Sequence, residues 1–168
     1  MLRWCRPTVT KGQPSVYGCD VFQPWMSSLP GLWQPGPRSL RLLADHLRSS
    51  IVIIGDGVRP SNTGRGYVLR RLLRRALAVL WRDDSTRTLG DLPASLLEHT
   101  LARFGQDADP GPVRAVLAEE ERRFAGLLTR GRKVLTQFGP GRPPTEADLA
   151  YLHQTHGLPP DLVTELLA

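Results

Sequence analysis

The sequence predicts a mainly α-helical protein: a helical domain of about six helices behind an irregular N-terminal stretch. Three observations carry this. From Arg38 onward apolar residues recur at spacings of three and four. Gly55 and Gly57 stop one such run, and Asp91 with Pro93 and Asp109 with Pro110 open others. Residues 1–37 instead hold Pro14, Pro24, Pro30, Pro35 and Pro37, which break up any long helix. That stretch also carries Trp4, Tyr17, Phe22, Trp25 and Trp33, enough apolar surface to call for a protein partner that covers it.

The elements follow in order. Leu40, Leu43, Ala44, Leu47 and Ile51 trace a first helix from Arg38. Ile51-Val52-Ile53-Ile54 reads either as a short extended piece or as a buried helix end, stopped by Gly55 and Gly57. A second helix starts near Gly66 and runs to about Arg82. Stepping roughly 100° per residue places Leu69, Leu72, Leu73, Ala76, Leu77 and Leu80 on one face. Arg70, Arg71, Arg74, Arg75 and Arg82 fall on the opposite arc. Asp91 and Pro93 open a third helix, about 93–104, and Asp109 and Pro110 open a long fourth, about 112–138. The stripe of the fourth is Val113, Val116, Leu117, Phe124, Leu127, Leu128, Val134, Leu135 and Phe138. After a Gly/Pro linker, Thr145 and Asp148 approximate a capping box for helix 146–156. Pro159-Pro160-Asp161 opens a last short helix. The domain reading is therefore 1–37 and 38–168.

Charge points to the partner. With 22 basic and 16 acidic residues the chain carries +6, which favours a polyanion. Only Lys11 and Lys133 among the basic residues are lysines. A GC-rich coding bias would raise arginine everywhere, but it does not explain seven arginines and no acid between Arg59 and Arg82. Ahead of that helix lies Ser61-Asn62-Thr63-Gly64-Arg65-Gly66, where glycines allow close backbone approach. Helix N-termini favour phosphate, and Asn62 offers a donor and an acceptor on a short stem. A solvated face and a plain turn are the bland alternatives. The acids nearest in sequence, Asp83 and Asp84, lie at the far end of the helix.

Residues 44–75, ADHLRSSIVIIGDGVRPSNTGRGYVLRRLLRR, resemble the signature of the alanyl-tRNA synthetase family, an ADH-x-R-S stretch followed by DGV-x-PSN-x-GRGYVLRR. Residues 15–24, SVYGCDVFQP, resemble the family's S-x-Y-x-T-D-[LV]-F-x-P segment, with Cys19 in place of Thr. Glu119–Phe124 and the segment YLHQTHGLPPDLVT at 151–164 resemble further family segments. The resemblance implies the family's helical tRNA-recognition region. It implies that Asn62 reads the G·U pair of the acceptor stem of tRNA(Ala) together with residue 154. Gln154 stands where the family has Asp, keeping an acceptor oxygen but losing its charge. Arg65, Arg70, Arg71, Arg74 and Arg75 would hold backbone phosphates.

The resemblance also implies what to expect of the chemistry. In the family, ATP and magnesium are used by a class II catalytic core that precedes this region, and residues 1–37 read as the remnant following that core. No glycine-rich phosphate loop and no paired carboxylates for magnesium stand out here. The expectation is therefore no cofactor and no catalytic residue in this chain. His153 and His156 are three apart but lack further ligands, and Cys5 and Cys19 have no metal-ligand spacing, so no metal is expected. No apolar run approaches the ~18–20 residues of a membrane span, and no signal peptide opens the chain, so a cytoplasmic place is expected. A tRNA-binding fragment is the leading reading. One half of a split alanine–tRNA ligase and a truncated relic are the other two.

Overall fold

The computed structural model describes residues 15–135 and 145–156, the side chains at 132, 134, 135 and 153–156 excepted. Among these residues there are six α-helices and no strand, so the mainly helical expectation holds. They are α1 (Gln23–Trp33), α2 (Pro37–Gly55), α3 (Gly64–Asp83), α4 (Ala94–Arg103), α5 (Gly111–Leu135) and α6 (Glu146–His156). Contacts divide the chain into two units, Met1–Glu121 and Arg122–Ala168.

Helix α1 is the element that the sequence reading does not assign. Trp25, Leu29 and Trp33 follow one another at four-residue steps, and all are buried. Pro24 sits in the first turn, where its missing N–H has no helical partner to lose. Pro30 lies inside the helix, near its end. Pro24 costs the helix no bond at its position, and Pro30, inside it, is carried by the burial of Trp25, Leu29 and Trp33. The last turn closes on Gln34, whose N–H donates to the Pro30 carbonyl from a left-handed backbone (φ 48°).

Phe22, Trp25 and Trp33 of this stretch are covered by the chain itself. Trp25 Nε1 donates to Thr100 Oγ1 on α4 at 3.1 Å, and Trp33 Nε1 donates to Asp91 Oδ2 at 3.3 Å. Phe22 is buried under the Arg48 guanidinium, 4.5 Å from its ring centre. Trp4 lies outside the described residues. Cys19 is buried and free, in keeping with a packing role. Cys5, the last predicted helix near 160–168 and the linker after α5 also lie outside the described residues.

Helices α2 and α3 pack most closely and form the centre of the first unit. Leu43, Ala44, Leu47, Ile51 and Ile54 of α2 meet the face of α3 that carries Leu69, Leu73, Ala76, Leu77 and Leu80. The β-branched run 51–54 is thus a helix end, not an extended piece. Gln106 finishes that end from outside, its Nε2 donating to the Val52 carbonyl at 2.9 Å. A short 3-10 turn, Leu89–Asp91, carries a complete capping box with Thr88. In the second unit the predicted box at α6 is formed: Asp148 N–H donates to Thr145 Oγ1 at 3.3 Å, and Thr145 N–H donates to Asp148 Oδ2 at 2.8 Å. No helix among the described residues is long and apolar enough to cross a membrane.

Candidate nucleic-acid interface

The polar turn before α3 is folded onto the first turn of that helix. Ser61 N–H donates to the Gly66 carbonyl at 3.1 Å, and Ser61 Oγ donates to the Thr63 carbonyl at 2.8 Å. Gly64 has φ +55°, a backbone that L side chains rarely adopt. At Gly66 a Cβ would stand 2.4 Å from the Arg59 carbonyl oxygen, so only glycine fits. These two glycines let the chain double back tightly enough to leave Asn62 exposed at the tip.

The side chain of Asn62 is not free. Its Oδ1 accepts a hydrogen bond from Arg70 Nη1. The same guanidinium donates through Nη2 to the Pro60 carbonyl at 3.2 Å, and its Nε lies 3.4 Å from Glu120 Oε1. Arg74 Nε donates to that same oxygen at 2.8 Å. The Arg70–Glu120 approach is an ion pair without hydrogen-bond geometry, since Arg70 Nε has no hydrogen-bond partner among the described residues. Glu120 itself is 1% exposed.

The arginine arc therefore divides. Arg70 and Arg74 sit at the border of the apolar face, half-buried, and share Glu120. Arg65, Arg71 and Arg75 are exposed and carry no ion pair among the described residues. The counter-charge comes from α5, not from Asp83 or Asp84. Sequence reasoning missed Glu120, although a signal was present. Val113, Val116, Leu117, Glu120, Phe124 and Leu127 share one helical stripe, and an acid on an apolar stripe demands a buried cation. Exposed Tyr67 and Val68 lie on the same side of α3 as Arg71 and Arg75.

His46 on α2 lies close enough to Arg75 to feel its charge. Burial pushes the imidazole pKa below its ordinary value, Asp45 opposes the shift, and Arg75 adds to it. His46 Nδ1 is buried and 3.7 Å from Asp45 Oδ2, without hydrogen-bond geometry. Gln154 lies on α6 in the second unit, and its side chain, like those of His153 and His156, is outside the described residues. Among the described residues no three His, Cys, Asp or Glu side chains converge.

Comparison with known proteins agrees with the sequence resemblance. The family model for class II (A) tRNA synthetases matches residues 15–168. The alanine–tRNA ligase of Tropheryma whipplei (strain Twist) is 33% identical over 94% of this chain and 19% of its own length. That of Xanthomonas campestris pv. campestris (strain B100) is 40% identical over 89% of this chain and 18% of its own. That of Xanthomonas oryzae pv. oryzae (strain PXO99A) is 38% identical over the same shares. The chain thus spans about a fifth of the length of these curated relatives. With the family model covering all but its first 14 residues, the chain belongs to the class II (A) tRNA synthetases and is similar to the alanine–tRNA ligases among them.

Proposed function

We propose that this chain binds the acceptor stem of a tRNA, in the service of alanyl-tRNA formation, with Asn62 reading the minor groove. The observation that carries the reading is the pairing of an exposed, tethered Asn62 with the exposed Arg65, Arg71 and Arg75 on the helix that follows it. A-form RNA offers a wide, shallow minor groove flanked by phosphates. Guanine's exocyclic amino group is a donor there, so its reader needs an acceptor oxygen. Asn62 has one. Gln154 is the second acceptor in this reading, neutral where a carboxylate would bind about twice as strongly. The arginines supply affinity but no sequence information. Activation of alanine with ATP is assigned to no residue of this chain.

Binding of acceptor-stem duplexes over a salt series tests the proposal. Three neutralised phosphates give a log–log slope of about −2 to −3. A duplex with G·U at the recognised position binds more tightly than its G·C counterpart, by roughly two- to tenfold for one neutral hydrogen bond. A flat salt response, or equal affinity for the two stems, overturns it.

A further inference from the structure

Resting on that reading, we infer that Arg70 is a positioning residue that fixes the amide of Asn62, and not a phosphate contact as its place in the arginine arc suggests. Each nitrogen of its guanidinium faces a protein oxygen. Nη1 donates to Asn62 Oδ1, Nη2 to the Pro60 carbonyl, and Nε faces Glu120. Its side chain is 16% exposed, whereas Arg71, the next residue, is exposed.

The chemistry of the pair explains why an arginine is needed. An asparagine amide on a free stem presents its donor and its acceptor in turn to whatever lies opposite. A guanidinium only donates. With Arg70 in place, turning the Asn62 amide over would set its NH2 group against another donor. The contact therefore holds one orientation, and the carbonyl oxygen keeps a second lone pair for an RNA donor. Pro60 and Glu120 fix Arg70 in turn. Pro60 ties it to the loop that carries Asn62, and Glu120, almost wholly buried, ties it to α5. Arg74 shares the Glu120 carboxylate, so the buried acid faces two cations through its Oε1. Positioning of this kind raises discrimination between stems, because it removes the misoriented amide that would tolerate either base pair.

Asn62 is the only asparagine in the chain, so selective ¹⁵N-asparagine labelling gives one side-chain NH2 signal that needs no assignment. In the free wild-type protein we expect that NH2 to be rigid, and in Arg70→Lys to be motionally averaged, with thermal unfolding of both still cooperative. Lys keeps the charge but offers no fork to bridge Pro60 and Asn62. In RNA binding, Arg70→Lys lowers the G·U to G·C affinity ratio by roughly two- to tenfold and leaves the salt slope unchanged. Asn62→Ala lowers the ratio as well, and the double variant loses no more than Asn62→Ala alone. Arg71→Ala weakens both stems alike. An Asn62 NH2 that is equally mobile in wild type and Arg70→Lys overturns the inference, as does an Arg70→Lys that weakens both stems alike with its ratio kept. Wild-type protein that holds Asn62 rigid yet binds both stems equally sustains the positioning and overturns the acceptor-stem reading instead.

Discussion

Gly66→Ala is the sharpest probe of how the Asn62 loop is held. The added Cβ would stand 2.4 Å from the Arg59 carbonyl oxygen and 2.2 Å from Ser61 Oγ. The hydroxyl can rotate away, losing its bond to the Thr63 carbonyl. The carbonyl oxygen cannot, because Ser61 N–H is bonded to the Gly66 carbonyl and pins the same segment to the helix. A carbon and a carbonyl oxygen need about 3.3–3.6 Å, so Arg59 has to retreat by about 1 Å. Overpacking of this size costs about 1–3 kcal/mol. Alanine returns about 1 kcal/mol of helix propensity, so the net loss is about 0–2 kcal/mol. Should the loop lift away as a unit, the stability cost shrinks, but the Arg70 bonds to Pro60 and Asn62 stretch. Urea unfolding and the single asparagine NH2 signal, recorded together, capture both routes. Gly31→Ala is the control: it lies in α1 with nothing within 4 Å of a new Cβ, and it gains up to about 1 kcal/mol. A Gly66→Ala protein as stable as wild type, with an unaltered Asn62 signal, refutes the close-approach argument.

Three further outcomes follow from the same structure. Thr100→Val removes the acceptor for the fully buried Trp25 indole N–H and costs about 1–3 kcal/mol in urea unfolding. The folded state depresses the His46 pKa, so the unfolded chain binds the proton more readily below 6.5. Stability measured by urea unfolding therefore falls as pH drops through that region, and His46→Gln removes the fall. Burial raises the Glu121 carboxyl above its ordinary 4.5, with Asp91 adding to the shift, although Thr88 Oγ1 and Leu89 N–H donate to it and oppose the rise. Here the folded state holds the proton longer, so this group's contribution declines as pH climbs from 4.5 through the folded pKa. Glu121→Gln keeps an acceptor for both donors and flattens that decline.

The helices legible in the sequence were those with a long, unbroken apolar stripe. Leu69, Leu73, Ala76, Leu77 and Leu80 of α3 are buried as their spacing requires. Helix α1 was not legible, because two prolines in eleven residues weigh against a helix unless their positions are considered. Trp25, Leu29 and Trp33 held the contrary signal, and tertiary cover from Thr100 and Asp91 makes it prevail. At the candidate interface, local pattern placed Asn62 and the glycines in the turn but not the partner of the arginines. That partner lies 46 residues from Arg74 in sequence, on another helix.

Periodicity within α3 assigns Arg70, Arg71, Arg74 and Arg75 to one arc, and only the approach of α5 separates them. Two arginines face Glu120 and two remain on the exposed side, so one helix carries both the scaffold and the charged surface. Removing an exposed charge changes a salt slope. Removing a half-buried one leaves an acid that is 1% exposed with one cation in place of two, with a cost that reaches the fold as well as the ligand. A charge count alone cannot distinguish the two kinds of arginine. Glu120 does, because one of the two arginines that reach it, Arg70, holds the loop from which Asn62 projects.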